Sequence, residues 1–253
     1  MNQIYLDMTR GIAADMFVSA SYAFMGERAR EQLLKRLKEM GNRFGLRLNV
    51  DKIRIQDLAG FRLCWEAPGR TELRSTSEAE EIVERCCSSL DASERSRTYA
   101  GRVVKDIIRA EAEAHGVESE EVHLHEIGRL AGLANIASAA LCLDMLGMHD
   151  KALIGSYISI GQGHVDTAHG RLCIPVPASA FLLKGMRFRF GPFDGEMATP
   201  TGIAIARNAI KEQVDILPAP GKEGIGFGTR RFGNELGFVR ILSTDKGESE
   251  WAG

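Results

Sequence analysis

The sequence feature that most constrains the fold is an apolar run from Leu130 to Met148. Asn135, Ser138 and Asp144 interrupt this run. A membrane-spanning helix needs about 20 consecutive, predominantly apolar residues, so the interrupted run is better explained as a helix buried inside a globular protein. Gly147 is expected to end that helix, because glycine readily adopts the conformation found at helix ends. We therefore expect a buried helix and no membrane among the partners.

The composition is that of an ordinary globular protein. The chain has 253 residues, of which 44% are hydrophobic and 26% are charged, enough to bury a large core. Its 32 basic and 34 acidic residues give a formal charge of -2. Nucleic-acid-binding proteins usually have a basic excess or a basic stripe, so we expect no nucleic acid among the partners.

The cysteines and the amino terminus favour a cytoplasmic protein. The five cysteines are odd in number, lie within apolar segments and include no C-x-x-C pair, which argues against a zinc knuckle. The first residues, MNQIYLDMTR, lack the basic region and long apolar core of a secretion signal. Because no order of serine, histidine and aspartate indicates a covalent nucleophile, no catalytic residue is assigned.

The predicted strands and helices alternate irregularly, which indicates an α+β (mixed α/β) fold. Strand-like LRLNVDKIRIQ and GFRLCWEA flank DLAG, which we interpret as a hairpin turn. Helical spacing of apolar residues extends over ERAREQLLKRLKEMG and from Glu78 to about Gly116. Glycine and proline become more frequent after Asp150. We therefore predict two parts, 1–150 and 151–253, packed as one unit.

The segment YLDMTRGIAADM has the pattern of a strand, a turn at Gly11 and a helix start. Such a turn presents backbone N–H groups and the positive end of a helix dipole, which suits a phosphate. Asp7 at the strand end could hold a magnesium ion, and Asp15 could hold one or cap the helix. The segment is neither a Walker loop nor a dinucleotide fingerprint. The alternative is a tight turn with an N-cap aspartate.

The segment HLHE places His123 and His125 before the apolar helix, with Glu126 in its first turn. If the segment is extended, both histidines point to the same side, where they could share a divalent metal such as nickel or zinc. The alternative is two partly buried histidines bonded to the backbone, with Glu126 as a charge that the helix dipole favours.

Two further loops carry polar side chains near a strand end or a helix start. GQGHVDTAHGRL contains His164, Asp166 and His169, which would contact a ligand or lie in a solvent-exposed turn. ATPTG places Thr199 and Thr201 before an apolar helix, and either hydroxyl could cap that helix or bind phosphate. Together, the polar clusters indicate a site for an anionic ligand, with a metal.

These motifs resemble, in the same order, those of the LarC family of nickel-insertion proteins, from Tyr5 to about Arg240. YLDMTRGIAADMF is similar to the family's D-x-x-x-G-I-S-G-D-M-F, and VHLHEIG is similar to V-H-F-H-E-V-G. AEAEAHG matches A-E-A-x-x-H-G, and GIGFGTRRF resembles a G-Y-G-x-G segment. GQGHVDTAHGRLCIPVPASA and GEMATPTGIA are similar to G-x-G-x-V-x-x-x-H-G-x-L-P-V-P-A-P-A and G-E-L-x-T-P-T-G-A-A.

The resemblance implies a nickel-insertion chemistry. Family members install Ni2+ into a pyridinium mononucleotide that carries two thiocarboxylates, with CTP as co-substrate and Mg2+ or Mn2+ as a further metal. It places a metal site at His123, His125 and Glu126, and we also expect a homo-oligomer. The positions that the resemblance assigns to a nucleotide or ligand pocket are Asp7, Gly11, Asp15, Met16, Gly163, His169, Gly170, Glu196, Thr199, Thr201 and Gly202.

Departures from the family pattern leave open whether the chain is an enzyme. Ala13 and Ala14 replace a serine and a glycine. Ala131 and Asn135 replace two aspartates that would share one helix face, where Arg129 could hold a phosphate directly. A further domain of longer family members is missing, and a separate chain would have to supply it. The alternative to a nickel-inserting cyclometallase is therefore a non-catalytic paralogue that binds nucleotide, metal or cofactor precursor.

Overall fold

Helices and strands follow each other in irregular order, which confirms the predicted α+β class. The computed structural model describes residues 3–55, 57–67, 69, 75–122, 129–149, 153–167, 170–215 and 221–243. The described α-helices are α1 (Ala14–Phe24), α2 (Glu27–Phe44), α3 (Thr76–Ser89), α4 (Glu94–His115), α5 (Leu130–Met145), α6 (Pro177–Leu182) and α7 (Pro200–Ala209). The described strands are β1 (Ile4–Asp7), β2 (Arg47–Ile55), β3 (Leu58–Glu66), β4 (Leu153–Gly155), β5 (Ile158–Ser159), β6 (Gly161–Gln162), β7 (His164–Thr167), β8 (Gly170–Cys173), β9 (Phe188–Arg189), β10 (Gly195–Glu196), β11 (Glu212–Gln213), β12 (Glu223–Phe232) and β13 (Glu235–Ser243).

A mixed sheet of seven strands organises the described residues, in the order β11-β4-β1-β13-β12-β3-β2. Within it, β1 is parallel to β4 and antiparallel to β13. β12 is antiparallel to β13 and parallel to β3. Three shorter strand pairs, β5-β9, β6-β10 and β7-β8, accompany this sheet. Strands from both sides of residue 150 are therefore hydrogen-bonded in one sheet.

The apolar run forms the buried helix α5, as predicted. The helix packs against α1, α3 and α4, and its residues Leu133, Ile136 and Leu141 are fully buried. The hydroxyl of Ser138 donates a hydrogen bond of 2.6 Å to the carbonyl oxygen of Ala134 one turn earlier, so this buried polar group is satisfied within the helix. Gly147 follows the helix with a φ of 62°.

Among the described residues, no helix combines the length and the hydropathy that a membrane crossing requires.

Helix α1 lies directly on strand β12 because two glycines allow the backbones to approach. A Cβ atom at Gly224 would lie 2.3 Å from a backbone nitrogen of α1, and one at Gly226 would lie 2.2 Å from another. On the neighbouring strand, the backbone N–H of Leu63 donates to the hydroxyl of Ser19 in α1 at 2.8 Å. These contacts hold the middle and the last turn of α1 against the sheet.

The hairpin between β2 and β3 is tighter than the segment DLAG predicted. β3 already begins at Leu58, so Gly60 lies inside the strand and pairs with Ile53. Glycine is needed here for the packing of β3 against β12, because a Cβ atom at this position would lie 2.4 Å from the carbonyl oxygen of Ile225 in β12. Gly60 thus allows β3 to lie beside β12, and the prediction of a turn at this position was wrong.

Candidate functional site

Three helices begin at the wall of one cavity of about 440 Å³. α1 contributes Asp15 and Met16 to the wall, α5 contributes Ala131 and Gly132, and α7 contributes Thr201. The first turn of an α-helix carries backbone N–H groups that have no partner inside the helix, and the helix dipole gives this end a positive potential. The cavity is therefore suited to an anion such as a phosphate group.

Backbone hydrogen bonds hold the starts of α1 and α7 side by side. The N–H of Ile12 donates to the carbonyl oxygen of Met197, and the N–H of Thr199 donates to that of Ile12, both at 3.0 Å. A Cβ atom at Gly11 would lie 2.1 Å from the carbonyl oxygen of Met197, and one at Gly202 would lie 2.4 Å from that of Ile12. Both glycines are thus needed to bring the two helix starts together.

The start of α7 has its own side-chain cap. The hydroxyl oxygen of Thr199 accepts a hydrogen bond of 3.1 Å from the N–H of Gly202. Pro200 occupies the first helical position, where the missing N–H has no cost. Of the two threonines, Thr199 is therefore the cap, while Thr201 lies in the first turn of the helix and, like Thr199, lines the cavity.

The starts of α1 and α5 have no side-chain cap among the described residues. Their N-cap positions are Ala13, which has no polar side chain, and Arg129, whose side chain has only donors. In α1 the N–H of Met16 donates to the Asp15 carboxylate at 2.9 Å. In α5 the N–H of Gly132 donates to the carbonyl oxygen of Arg129 at 2.8 Å. An anion in the cavity would act as the missing cap of α5, whereas at α1 it would share the first-turn N–H groups with the Asp15 carboxylate.

Charged side chains of both signs surround the cavity. Arg129 and Arg230 line it together with Asp15 and Glu196. Nη1 of Arg230 donates to the carbonyl oxygen of Glu196 at 3.1 Å and lies 3.6 Å from Oε2 of the same residue. A guanidinium group matches the geometry of a phosphate, whereas carboxylates match a hard divalent cation. The wall can therefore accept a phosphate together with its metal ion.

The pKa of the Asp15 carboxyl group is raised well above its ordinary value. Burial raises its pKa to about 6, although hydrogen bonds from the backbone N–H groups of Met16 and Thr229 and the positive charge of Arg62 oppose this effect. Burial disfavours the charged form of a carboxyl group, and a bound cation would favour it. Asp15 can thus change its charge in response to a ligand in the cavity.

Several residues that the sequence singled out meet at this cavity. Asp15, Met16, Glu196, Thr199 and Thr201 all line it. They come from two segments of the chain that are far apart in sequence, and the paired helix starts described above bring these segments together. The structure therefore provides one place where these predicted residues can act on one ligand.

Other predicted pocket residues lie outside the lining of this cavity. The buried carboxylate of Asp7 accepts a hydrogen bond of 2.7 Å from Nε of Arg240 and another of 2.7 Å from the hydroxyl of Thr9. Gly163 and Gly170 lie at the two ends of the β7-β8 hairpin. The assignment of Asp7 and these two glycines to a ligand pocket stays a prediction.

The predicted metal ligands His123, His125 and Glu126 lie outside the described residues, as does His169. In the part of the chain that the structure describes, no group of three or more histidine, cysteine, aspartate or glutamate side chains is placed to hold a metal ion. The metal site at these positions therefore stays a prediction.

Sequence reasoning did not assign three side chains of the cavity wall, Cys64 and Trp65 of β3 and Arg230 of β12. They reach the cavity because β3 pairs with β12 beside α1, which no local pattern reveals. For Arg230, its place in GIGFGTRRF was the available signal. Burial raises the pKa of the Cys64 thiol, so this cysteine is protonated rather than nucleophilic at neutral pH.

The two positions at which the resembling family has aspartates also face this cavity. Ala131 and Asn135 both belong to its lining, one helical turn apart on α5. Aspartates at these positions would present two further carboxylates to a bound ligand. This chain presents a methyl group and an amide instead, beside the positive charge of Arg129.

Comparisons with known proteins place these features in a family. Residues 4–252 match the family described as "Nickel insertion protein". A relative from Geotalea uraniireducens, named "Putative nickel insertion protein", is 33% identical over 250 residues, which cover 97% of this chain and 62% of the relative. The "Pyridinium-3,5-bisthiocarboxylic acid mononucleotide nickel insertion protein" of Alkaliphilus metalliredigens is 33% identical over 255 residues, which cover 90% of this chain and 57% of the relative.

A protein of the same name from Thermotoga petrophila is 32% identical over 235 residues, which cover 89% of this chain and 57% of the relative. The chain thus spans between 57% and 62% of the length of these relatives. No solved structure matches the chain.

Proposed function

Because this chain belongs to the nickel insertion protein family, we propose that it acts in the insertion of nickel into pyridinium-3,5-bisthiocarboxylic acid mononucleotide, the compound in the names of two relatives. We further propose that the cavity between α1, α5 and α7 binds the CTP that this reaction uses. The observation that carries the assignment is the convergence of three helix N-termini on one cavity.

The proposed nucleotide site is supported by its size and charge. Small-molecule pockets commonly enclose about 300–1,000 Å³, and this cavity of about 440 Å³ falls in that range. The uncapped starts of α1 and α5 offer N–H groups to phosphate oxygens. Arg129 and Arg230 add guanidinium groups at the same wall, where they can bind phosphate oxygens in pairs.

The same wall fits a divalent cation bound together with the phosphates. Asp15 and Glu196 supply carboxylate oxygens, and Thr201 supplies a hydroxyl. Mg2+ is usually held by one or two carboxylates together with substrate phosphates rather than by a cage of protein ligands. This donor set therefore suits Mg2+ or Mn2+, which would neutralise part of the phosphate charge.

In this proposal the residues of the chain act by binding and orientation. The helix starts and the arginines hold the triphosphate, and Asp15 and Glu196 hold the divalent cation that accompanies it. Fixing two reactants in one geometry lowers the entropic cost of their reaction. Nickel itself is a substrate, and its soft sulfur partners would be the thiocarboxylates of the organic ligand. His123, His125 and Glu126 are the proposed protein ligands that deliver it.

A second candidate function is that of a non-catalytic paralogue. It is favoured by Ala131 and Asn135, which leave the α5 face of the cavity without the two family carboxylates. Such a protein would hold nucleotide, nickel or the organic precursor without turnover. The cytoplasmic location, the homo-oligomer and a separate partner chain remain predictions under either function.

The test is a nickel-insertion assay with the purified chain, CTP, Mg2+, Ni2+ and the bisthiocarboxylated mononucleotide. We expect mass spectrometry to detect one nickel ion in the organic product, and its formation to require CTP. Omission of CTP from otherwise identical reactions is the matched control. If CTP binds and no nickel enters the product, the catalytic proposal fails in favour of the paralogue.

A further inference from the structure

A second cavity, of about 310 Å³, lies beside the first. The two cavities share Glu196, Pro200 and Arg230. The other walls of the second cavity come from the last turn of α4, from the β7-β8 hairpin and from the start of α6. A ligand in either cavity is therefore next to the ion pair between Glu196 and Arg230, and the two cavities form adjoining compartments of one cleft.

One wall of the second cavity is apolar. It contains Val165 from β7, Leu172 from β8 and Val176 at the start of α6. Val165 and Leu172 are cross-strand partners in the hairpin, and Val165 packs against the main hydrophobic core. The pair therefore forms a supported surface on which a flat ring can lie.

Three carboxylates also line the second cavity, and two of them have little access to solvent. The side chains of Glu111 and Glu196 are only 13% and 12% exposed, and Asp166 lines the cavity from the hairpin. Nε2 of His115 lies 3.7 Å from Oε2 of Glu111. Partly buried carboxylates beside an apolar surface favour a cation over a neutral ligand of the same shape, because the cation compensates their lost hydration.

We propose that the second cavity binds the cationic pyridinium ring of the mononucleotide substrate, while the first cavity binds CTP. An aromatic ring with a positive charge requires both an apolar surface and nearby negative charge, and the lining of this cavity provides both. This inference rests on the proposed function, and it adds the place and the recognition chemistry of the second substrate.

Arg230 then serves both compartments. Its Nη1 is directed to Glu196, and a guanidinium group has five N–H donors in all. The remaining donors can reach an anionic arm of the pyridinium compound from the second cavity or a phosphate of CTP from the first. Arg230 and Glu196 would thereby hold the two substrates in adjacent positions.

The experiment uses nicotinamide mononucleotide in its oxidised and reduced forms as the probe. The oxidised ring is a pyridinium cation and the reduced ring is neutral, whereas the ribose and phosphate are the same. We expect calorimetric titration of the full chain to give about tenfold tighter binding of the oxidised form, the effect of a close, poorly solvated charge pair. Equal affinity for the two forms would overturn the proposal.

Two variants test whether the preference for the oxidised form arises in the second cavity. Glu111→Gln should reduce the preference for the oxidised form to about threefold or less, since it removes one of the negative charges of the lining. Asp166→Asn, on an exposed hairpin position, should reduce it without a cost in folding. The control is Glu113→Gln on the same helix, because that side chain is 65% exposed and lies 3.9 Å from Nζ of Lys184. A preference unchanged in both test variants would contradict the assignment.

Titration with CTP on the same samples separates this inference from the proposed function. Saturating CTP with Mg2+ should leave the affinity for the oxidised mononucleotide within about twofold, since the ligands occupy different compartments. Displacement of one ligand by the other would overturn the two-compartment proposal. If the chain preferred the oxidised mononucleotide and bound no CTP, the result would support the pyridinium site in the second cavity. It would overturn the proposal that the first cavity binds a nucleotide.

Discussion

At the scale of single residues, two aspartates near the start of the chain have opposite electrostatic environments. Asp7 lies directly opposite Arg240 in the β1-β13 pair, and its carboxylate is bound to that guanidinium group. Asp15 lies in the first turn of α1, where burial raises its pKa to about 6. Asp7 is thus positioned to stabilise the sheet, and Asp15 is positioned to respond to a ligand.

The raised pKa predicts that Mg2+-dependent CTP binding weakens in acid. Above pH 6 the carboxyl group of Asp15 is mostly ionised and can face a cation, whereas below pH 6 it is mostly protonated. We therefore expect the affinity for CTP with Mg2+ to fall as the pH is lowered from 8 to 5. Calorimetric titrations across this range measure the effect.

The variant Asp15→Asn is the control, because the phosphates of CTP also titrate near pH 6. The variant should bind CTP with Mg2+ more weakly at pH 8 and should keep only the pH dependence that belongs to the nucleotide. Identical pH profiles for the wild type and the variant would rule out a role for Asp15 in the site.

At the scale of elements, the site depends on the close approach of the α1 and α7 starts. Gly202→Ala would place a Cβ atom 2.4 Å from the carbonyl oxygen of Ile12. We expect this change to lower the free energy of unfolding by about 1–3 kcal/mol, since overpacking forces the backbones apart. Denaturant titration measures the loss, and the affinity for CTP should fall with it.

A matched glycine is available in α4. A Cβ atom at Gly101 would meet no atom within 4 Å, so Gly101→Ala should raise the free energy of unfolding by about 0.5–1 kcal/mol through the lower chain entropy of the unfolded state. If the two variants had equal stability, the argument from the close approach would be wrong.

The face of α5 that lines the cavity allows a test by a gain, rather than a loss, of affinity for CTP. Ala131→Asp together with Asn135→Asp would add two carboxylates to the cavity wall. We expect the affinity for CTP in Mg2+ to rise by about tenfold, the scale on which groups around a metal tune its binding. Without Mg2+ the same variant should bind CTP more weakly, because carboxylates repel phosphates. Weaker binding in both conditions would exclude this face as a metal site.

The sequence was enough to predict where individual helices begin. It was not enough to predict that the starts of α1, α5 and α7 lie at one cavity. The cap at Thr199, the proline at the first position of α7 and the glycine after α5 are local signals, and the structure confirms a helix beside each. The approach of Gly11 to Met197 and of Gly202 to Ile12 depends on tertiary packing between distant segments. The sequence therefore indicates Gly11 and Gly202 only as turn or pocket residues, and their steric role follows from the packing.

At the scale of the whole molecule, the mixed class was predictable and the strand order was not. The irregular alternation of helical and strand patterns was enough to predict an α+β fold. β1 pairs with β13, whose partner residues lie more than two hundred positions away, as for Asp7 and Arg240. No local pattern specifies such a pairing, and Gly60 was misassigned to a turn for the same reason. The second cavity likewise depends on contacts among α4, α6 and the β7-β8 hairpin.

The main role proposed for the converging helix starts is to bind a nucleotide with its metal ion. Its most direct test is calorimetric titration of the chain with CTP and with ATP, each with and without Mg2+, for the wild type and for Arg129→Ala. The control is Arg109→Ala, an exposed arginine of α4 that lies outside the cavity lining. We predict Mg2+-dependent binding of CTP that Arg129→Ala weakens about tenfold, as expected for a charge-assisted hydrogen bond, and that Arg109→Ala leaves unchanged. No binding of either nucleotide, or binding that is equal in both variants, would contradict the account.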